Sequence, residues 1–315
     1  MQIVTVTMNP SVDVDTSVDA LTPVHKMRCF AARRDPGGGG INVARVVRRL
    51  GGECAALYTA GGCLGQLLRS LVAAENILDI AVPIAGETRE SFTVRQLSDD
   101  AQYRFVLPGP ALAENEWRAC LDRIEALPAP PSFLVASGSL PPGVPDDFFA
   151  RLARCARKLG ARLVVDTSGT ALQAALDEGV YLAKPNLREL GQAVGRDLTD
   201  AARWEAAALE LVHAGKADLV ALTLGDMGAF LAGRDLRLRA PSVPVKAASA
   251  VGAGDSFLAA MVWRLAAGGP VEDAFRYGVA AGAAALLTPG TELALKDDIA
   301  RLYAQVNVTA APAAG

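Results

Sequence analysis

The sequence predicts an α/β fold of three layers, α/β/α, with a mostly parallel central sheet and a small antiparallel sheet standing off it. Three observations carry this. Short, continuously apolar runs recur along the chain, amphipathic segments of helical period separate them, and one region switches to polar–apolar alternation. Continuous apolar strands between helices mark a parallel sheet covered on both faces, whereas alternation marks strands with one solvated face.

Residues 3–8 read as the first strand and 40–50 as the first helix. A second strand at 55–60 and a helix at 64–74 follow. Short apolar runs at 133–137, 163–166, 181–183 and 219–224 continue the rhythm, spaced by amphipathic segments such as 146–158 and 203–214. The alternating region comprises 90–97 and 102–107, joined by Ser98-Asp99-Asp100, which is turn chemistry and makes a hairpin. Residues 12–18 also alternate, and 28–34 supply a further extended segment. An ordinary edge hairpin is the alternative to a separate small sheet. One domain over 1–306 is expected, with insertions near 12–35 and 87–108 building the small sheet, and a frayed Ala/Pro-rich tail over 307–315.

Composition excludes several classes. With 315 residues, 51% apolar and 21% charged, the chain is that of a folded globular protein and not a disordered one. A formal net charge of −3 gives no general pull toward nucleic acid or anionic membrane. The five cysteines (Cys29, Cys54, Cys63, Cys120 and Cys155) form no Cys-x-x-Cys pair, so neither a zinc site nor a disulfide framework is expected. The first residues read as a strand and not as a signal peptide, and no apolar stretch reaches a membrane span; the cytoplasm is the expected compartment. His25 and His213 are the only histidines, which speaks against a histidine metal centre. Ser137 and Ser139, in Ser-Gly-Ser-Leu-Pro-Pro-Gly, lack a nucleophile-elbow pattern.

The strongest local motif is Val251-Gly252-Ala253-Gly254-Asp255 ahead of an apolar helix containing Phe257, Leu258, Met261, Val262 and Leu265. Small residues at a helix start leave backbone N–H groups uncovered at the positive end of the helix dipole. An anion hole beside a carboxylate is what phosphoryl transfer requires: amides for the moving charge, a base for the attacking hydroxyl. Read alone, Asp255 is equally an N-cap after a glycine turn. Residues 37–40 are four glycines leading into Ile41-Asn42-Val43-Ala44-Arg45, a run that lets backbone approach a ligand or simply turns. It is neither a Walker A loop nor a proper Gly-x-Gly-x-x-Gly, which disfavours a dinucleotide-dependent oxidoreductase. Lys184-Pro185-Asn186 with Glu189 places an amide and a carboxylate at a strand's carboxyl end, suited to hydrated Mg²⁺ and also to a capping box. Lys26, Arg28, Arg89 and Arg104 all fall in the small sheet, where they suit phosphate or plain surface.

Together these motifs resemble the ribokinase-like (PfkB) carbohydrate kinases over nearly the whole chain. The resemblance rests on residues 37–45 and 250–257, with Ser137-Gly-Ser-Leu-Pro-Pro-Gly143, Asp166-Thr-Ser-Gly169, Lys184-Pro-Asn-x-x-Glu189 and Thr223-Leu-Gly-x-x-Gly228 in order between them. Thr-Met-Asn-Pro-Ser-Val-Asp (7–13) is similar to the phosphosugar subgroup. The glycine run resembles that of its minor bacterial 6-phosphofructokinases, where relatives acting on fructose 1-phosphate or tagatose 6-phosphate usually carry Lys at the position of Gly39. The resemblance implies ATP-dependent phosphorylation of fructose 6-phosphate at C1, a glycolytic step. The alternatives are a tagatose-6-phosphate kinase or 1-phosphofructokinase of the same fold, and, from a different class, a non-catalytic sugar-phosphate sensor. It implies Asp255 as base with Gly252, Ala253 and Gly254 as anion hole. Asp13, Gly38, Gly39, Asn42 and Ser139 would hold the sugar, and Arg89 its phosphate, with Lys26, Arg28 and Arg104 as weaker candidates. Lys184, Asn186, Thr223, Gly225 and Gly228 would meet the nucleotide, and Glu189 Mg²⁺ through water. Carbonyls of Ser249, Val251, Ala285 and Gly290 would hold K⁺, although the loop Leu287-Thr288-Pro289-Gly290-Thr291-Glu292 lacks the Asn and Arg expected there. The small sheet would be a lid, pairing two subunits into a homodimer.

Overall fold

Every residue of β1 (Ile3–Thr7) is buried, and its side chains divide between two apolar cores. Ile3 packs into one core with Ala56, Tyr58, Phe133 and Val135. Val4 and Val6 pack into the other with Ala55, Leu57, Leu134 and Ala136. Successive strand residues point to opposite faces, so this division requires helices on both sides of the sheet. The computed structural model describes residues 2–30 and 32–311.

Among the described residues the main sheet has ten strands. In spatial order they are β5 (Leu78–Pro83), β4 (Cys54–Ala60), β1, β8 (Phe133–Ser137), β9 (Arg162–Asp166), β10 (Val180–Ala183), β11 (Ala217–Thr223), β12 (Ala229–Gly233), β13 (Leu236–Ala240) and β14 (Thr309–Ala310). From β5 to β11 every pairing is parallel; β12, β13 and β14 continue antiparallel. Helices α1 (Gly39–Arg49), α2 (Gly62–Ala74), α8 (Ala253–Ala266), α9 (Val271–Ala285) and α10 (Lys296–Tyr303) cover the first core. Helices α3 (Glu114–Glu125), α4 (Phe148–Leu159), α5 (Gly169–Glu178), α6 (Leu187–Val194) and α7 (Ala201–His213) cover the second. This is the three-layer α/β/α architecture expected.

The small sheet holds β3 (Arg33–Gly37), β2 (Ser11–Val18), β6 (Arg89–Gln96) and β7 (Gln102–Val106), in that order. Its β2–β3 and β6–β7 pairs are antiparallel hairpins, while β2 and β6 run parallel, from Ser11 opposite Arg89 to Val18 opposite Gln96. The parallel pair follows from connectivity: between β2 and β6 the chain leaves to build α1, β4, α2 and β5. The extended segment expected at 28–34 lies instead at β3, running into the glycines. Residues 33–37 pair with 15–11, whereas Phe30 makes only an amide bond to Ser17 O and accepts from Thr16 Oγ1.

The fraying expected from residue 307 does not begin there, because Thr309 and Ala310 pair with Arg239 and Leu238. Residues 312–315 of that expected tail lie outside the described residues. Among the described residues no helix is long and apolar enough to cross a membrane.

Candidate active site

Parallel strands β1, β8, β9, β10 and β11 all end on one side, at Thr7, Ser137, Asp166, Ala183 and Thr223. Ligands bind open α/β sheets at such carboxyl ends. Two cavities open there. The first, of about 360 Å³, lies between the strand ends and the small sheet. Asp13, Gly38, Gly39, Asn42, Arg89, Arg104, Ser139, Glu189, Val251, Gly252 and Asp255 line it. The second, about 580 Å³, has Asn186, Thr223, Gly225 and Gly228 on one wall. Val243, Pro244, Val245, Phe257, Val279 and Leu286 give it apolar walls. Gly254 lines both cavities, so the start of α8 is where they meet.

That helix start is held open by glycine. Gly252 is the N-cap, with φ 73°, in the left-handed region. A side chain there would also run into Leu293. A Cβ on Gly254 would lie 3.2 Å from Lys184 Nζ. The first intrahelical bond runs from Ser256 N to Gly252 O, which leaves the amides of Ala253 and Gly254 free for an anion. Asp255 is not the N-cap. It sits in the first turn, three residues past Gly252, and its Oδ2 accepts from Asn42 Nδ2 at 2.9 Å.

Charges converge beneath this point. Lys184 Nζ lies 3.1 Å from Asp166 Oδ1. Burial works to lower the Lys184 pKa, but Asp166, Asp255 and Glu189 around it raise it above the ordinary value. Asp255 is pushed up to about 6, first by burial and then by the Asp166 carboxylate, against the Asn42 hydrogen bond and Lys184. Asp13 accepts from Ser11 Oγ at 2.6 Å, and burial raises its pKa against the lowering influence of Arg89, Arg104 and Arg45. A side chain at Gly37 would collide with the Asp13 carboxylate, so glycine here leaves that carboxylate its place.

Arg89 is fixed to the protein. Nε and Nη2 donate to Asn9 O at 3.3 and 3.0 Å, and Nη1 donates to Ser91 Oγ and Leu107 O, both at 3.2 Å. Four of its N–H donors are thereby engaged, which orients the guanidinium toward the first cavity and leaves one N–H for a ligand. Asn186 and Glu189 form the capping box in full, each side chain bonding the other's amide at 2.9 Å. Both still face a cavity, Asn186 the second and Glu189 the first. Capping thus leaves both side chains at a cavity wall.

Of the basic residues expected in the small sheet, Arg89 and Arg104 line the first cavity, whereas Lys26 and Arg28 do not. They lie exposed on the loop between β2 and β3, because that loop swings away before β3 pairs. Of the expected cation carbonyls, Gly290 O is 3.2 Å from Ser249 Oγ. Thr288 turns its hydroxyl inward to Ala285 O at 3.0 Å and Leu293 O at 3.1 Å. Glu292 pairs with Arg33 at 3.2 Å.

Sequence reading missed Asp166, Ser91, Thr93 and Thr291, all lining the first cavity, and the apolar walls of the second. Asp166 was legible in part, as a carboxylate ending a parallel strand in Asp166-Thr-Ser-Gly169. Among the described residues no cluster of three or more His, Cys, Asp or Glu side chains forms a metal site.

Residues 6–298 match the model of the pfkB family carbohydrate kinases. Over 302 residues the chain is 48% identical to ATP-dependent 6-phosphofructokinase isozyme 2 of Mycobacterium tuberculosis, covering 96% of this chain and 89% of that one. Over 308 residues it is 42% identical to ATP-dependent 6-phosphofructokinase isozyme 2 of Escherichia coli, covering 98% and 99%. A crystal structure of phosphofructokinase-2 from Escherichia coli in complex with potassium superposes with a TM-score of 0.93 at 43% identity, over 96% of this chain and 98% of that one. With the fold, the paired cavities and these matches in agreement, the chain belongs to the pfkB family of carbohydrate kinases.

Proposed function

We propose that this chain transfers the γ-phosphoryl group of ATP to the C1 hydroxyl of fructose 6-phosphate, giving fructose 1,6-bisphosphate and ADP, a step of glycolysis. One observation carries the reading: an acceptor cavity and a nucleotide cavity meet at Gly254, with the Asp255 carboxylate at the junction. Asp255, ionised above about pH 6, takes the proton of the C1 hydroxyl. The hydroxyl oxygen bonds to the γ-phosphorus as the bond to the β,γ-bridging oxygen breaks, and ADP leaves with that electron pair. Amides at Ala253 and Gly254 receive the charge of the moving group, with Lys184 beneath them.

In the acceptor cavity Arg89 and Arg104 meet the 6-phosphate, while Asp13, Asn42 and Ser139 read hydroxyls beside Gly38 and Gly39. The buried Oδ1 of Asn42 has no protein partner and suits a sugar hydroxyl. The apolar walls of the second cavity suit a purine ring, with Thr223, Gly225 and Gly228 against the ribose and phosphates. Mg²⁺ bound to ATP would neutralise phosphate charge. Glu189, through water, and Asp166 are the carboxylates that would hold it. Carbonyls of Ser249, Val251, Ala285 and Gly290 would hold K⁺, with Gly290 O and Ala285 O also accepting from the hydroxyls of Ser249 and Thr288. The relatives' activity supports the substrate. A homodimer through the small sheet and a cytoplasmic location, consistent with five free cysteines, complete the proposal.

The test is ADP release measured across fructose 6-phosphate, fructose 1-phosphate, tagatose 6-phosphate and unphosphorylated sugars, with and without K⁺. Fructose 6-phosphate is expected to give the highest kcat/KM. Turnover with another sugar and none with fructose 6-phosphate would reassign the substrate. ATP binding with no transfer to any sugar would favour the sensor.

A further inference from the structure

Arg45 closes the run Gly-Gly-Gly-Gly-Ile-Asn-Val-Ala-Arg and is 1% exposed, yet none of the chemistry above uses it. A buried charge persists only among partners. Its Nε donates to Glu75 Oε1 at 2.8 Å, and its Nη1 to Pro36 O at 3.3 Å and Thr291 O at 3.2 Å. Its Nη2 lies 3.7 Å from Asp35 Oδ1. Thr291, itself buried, donates its hydroxyl to Asp35 Oδ2 at 2.6 Å. One guanidinium thus holds the end of β3, where the small sheet is rooted, against the loop that follows α9.

One more strand of the small sheet meets that loop directly, and another reaches it through Ser249. A side chain at Gly290 would collide with Asp15 of β2. Ser249 Oγ, beside Gly290 O, also faces Gln102 Oε1 of β7 at 3.3 Å. The loop in turn backs the anion hole. Leu293, at φ 67°, fills the place a side chain on Gly252 would take. Arg45 also lies one turn along α1 from Asn42, which bonds Asp255.

We infer that Arg45, Asp35 and Thr291 form a clasp that fixes the small sheet over the acceptor cavity and sets it against the anion hole, making them positioning residues for phosphoryl transfer. The kinetic part rests on the functional reading above. Loosening the clasp lets the sheet lift, which weakens acceptor binding and admits water to the γ-phosphate.

Thr291→Val keeps the side chain's shape and the carbonyl that Arg45 uses, and removes only the hydroxyl. The KM for fructose 6-phosphate is expected to rise about tenfold, the effect of one hydrogen bond to a charged group, with the KM for ATP unchanged. ADP formed per sugar phosphorylated should rise several-fold, because water then competes. Thr291→Ser should restore both. Independently of any substrate, hydrogen–deuterium exchange should quicken at residues 33–37 and at 289–293 together in Thr291→Val. Asp35→Asn, which leaves an acceptor but removes the charge facing Arg45, should show the same paired exchange if the valine variant folds poorly. Unchanged exchange, or a change in only one segment, overturns the clasp. An equal rise in both KM values would mark general weakening and also overturn it. If the wild type phosphorylates no sugar, the functional reading falls while the exchange measurements still decide the clasp.

Discussion

Asp255 is both a reagent and a cost. Its carboxyl is pushed up from the ordinary 3.8 to about 6, mainly through burial and then through Asp166. A carboxyl with a raised folded pKa favours the fold when protonated, so its contribution is lost as pH rises from the unfolded value through 6. Asp255→Asn, which keeps an acceptor for Asn42, is therefore expected to unfold at a higher temperature than the wild type at pH 8. That gain should shrink as pH falls from 6 toward 4. Its transfer rate should drop about a hundredfold or more, and the acid limb near pH 6 in the wild-type kcat/KM should vanish. Calorimetry and rate profiles over pH 5–8 check both parts; near-wild-type turnover would remove Asp255 from the base role. Much of this site was legible at residue level, because glycines, strand ends and a carboxylate before an apolar run carry local meaning. Thr291 was not, and Asp166 was so only in part. Their significance comes from Lys184 and Asp35, side chains far along the chain that only folding brings near.

At the scale of elements, α1 depends on its glycines for different reasons. Gly38 adopts φ 111°, while Gly39 faces the end of β8. A Cβ on Gly39 would collide with Ser137 Oγ and lie 2.9 Å from the Ser137 carbonyl carbon. Backbone, and not merely a rotamer, must then move. Gly39→Ala is expected to destabilise the protein by about 1–3 kcal/mol, the usual cost of overpacking. It should also raise the acceptor KM more than that of ATP, because Ser139 and Gly138 share the displaced turn. Urea denaturation with paired KM measurements checks this, and a neutral outcome would mean that the turn is free to shift. The elements themselves were readable where one period dominates, as in β8, α4 and β6. The pairing of β2 with β6 was not, since alternation marks a strand's solvated face and says nothing of which distant strand lies beside it. Nor was β14, whose two residues carry no period and owe their conformation to the edge of β13.

The whole molecule presents one face that a lone subunit leaves uncovered. On β7 and the segment after it, Phe105 is 50% exposed and Tyr103 and Leu107 are exposed as well, whereas Val106, on the other face of the strand, lines the acceptor cavity. Strand β7 is also the edge of the small sheet, with one side of its backbone unpaired. Apolar area beside an open strand edge is a pairing surface in folded proteins. Covering it with the same surface of a second copy would bury those side chains and stiffen the sheet over the acceptor cavity. The nucleotide cavity, built from β11, α8 and α9, would be left as it is. The wild type is therefore expected to be a dimer by light scattering at micromolar concentration, and Phe105→Asp a monomer. In that monomer the main body should keep its unfolding transition, because Phe105 belongs to neither apolar core. The acceptor KM should rise while that of ATP stays within about twofold, the pattern of a lid that is folded but less often closed. A wild type that remains monomeric, or a variant that remains dimeric, would place the contact elsewhere on the surface.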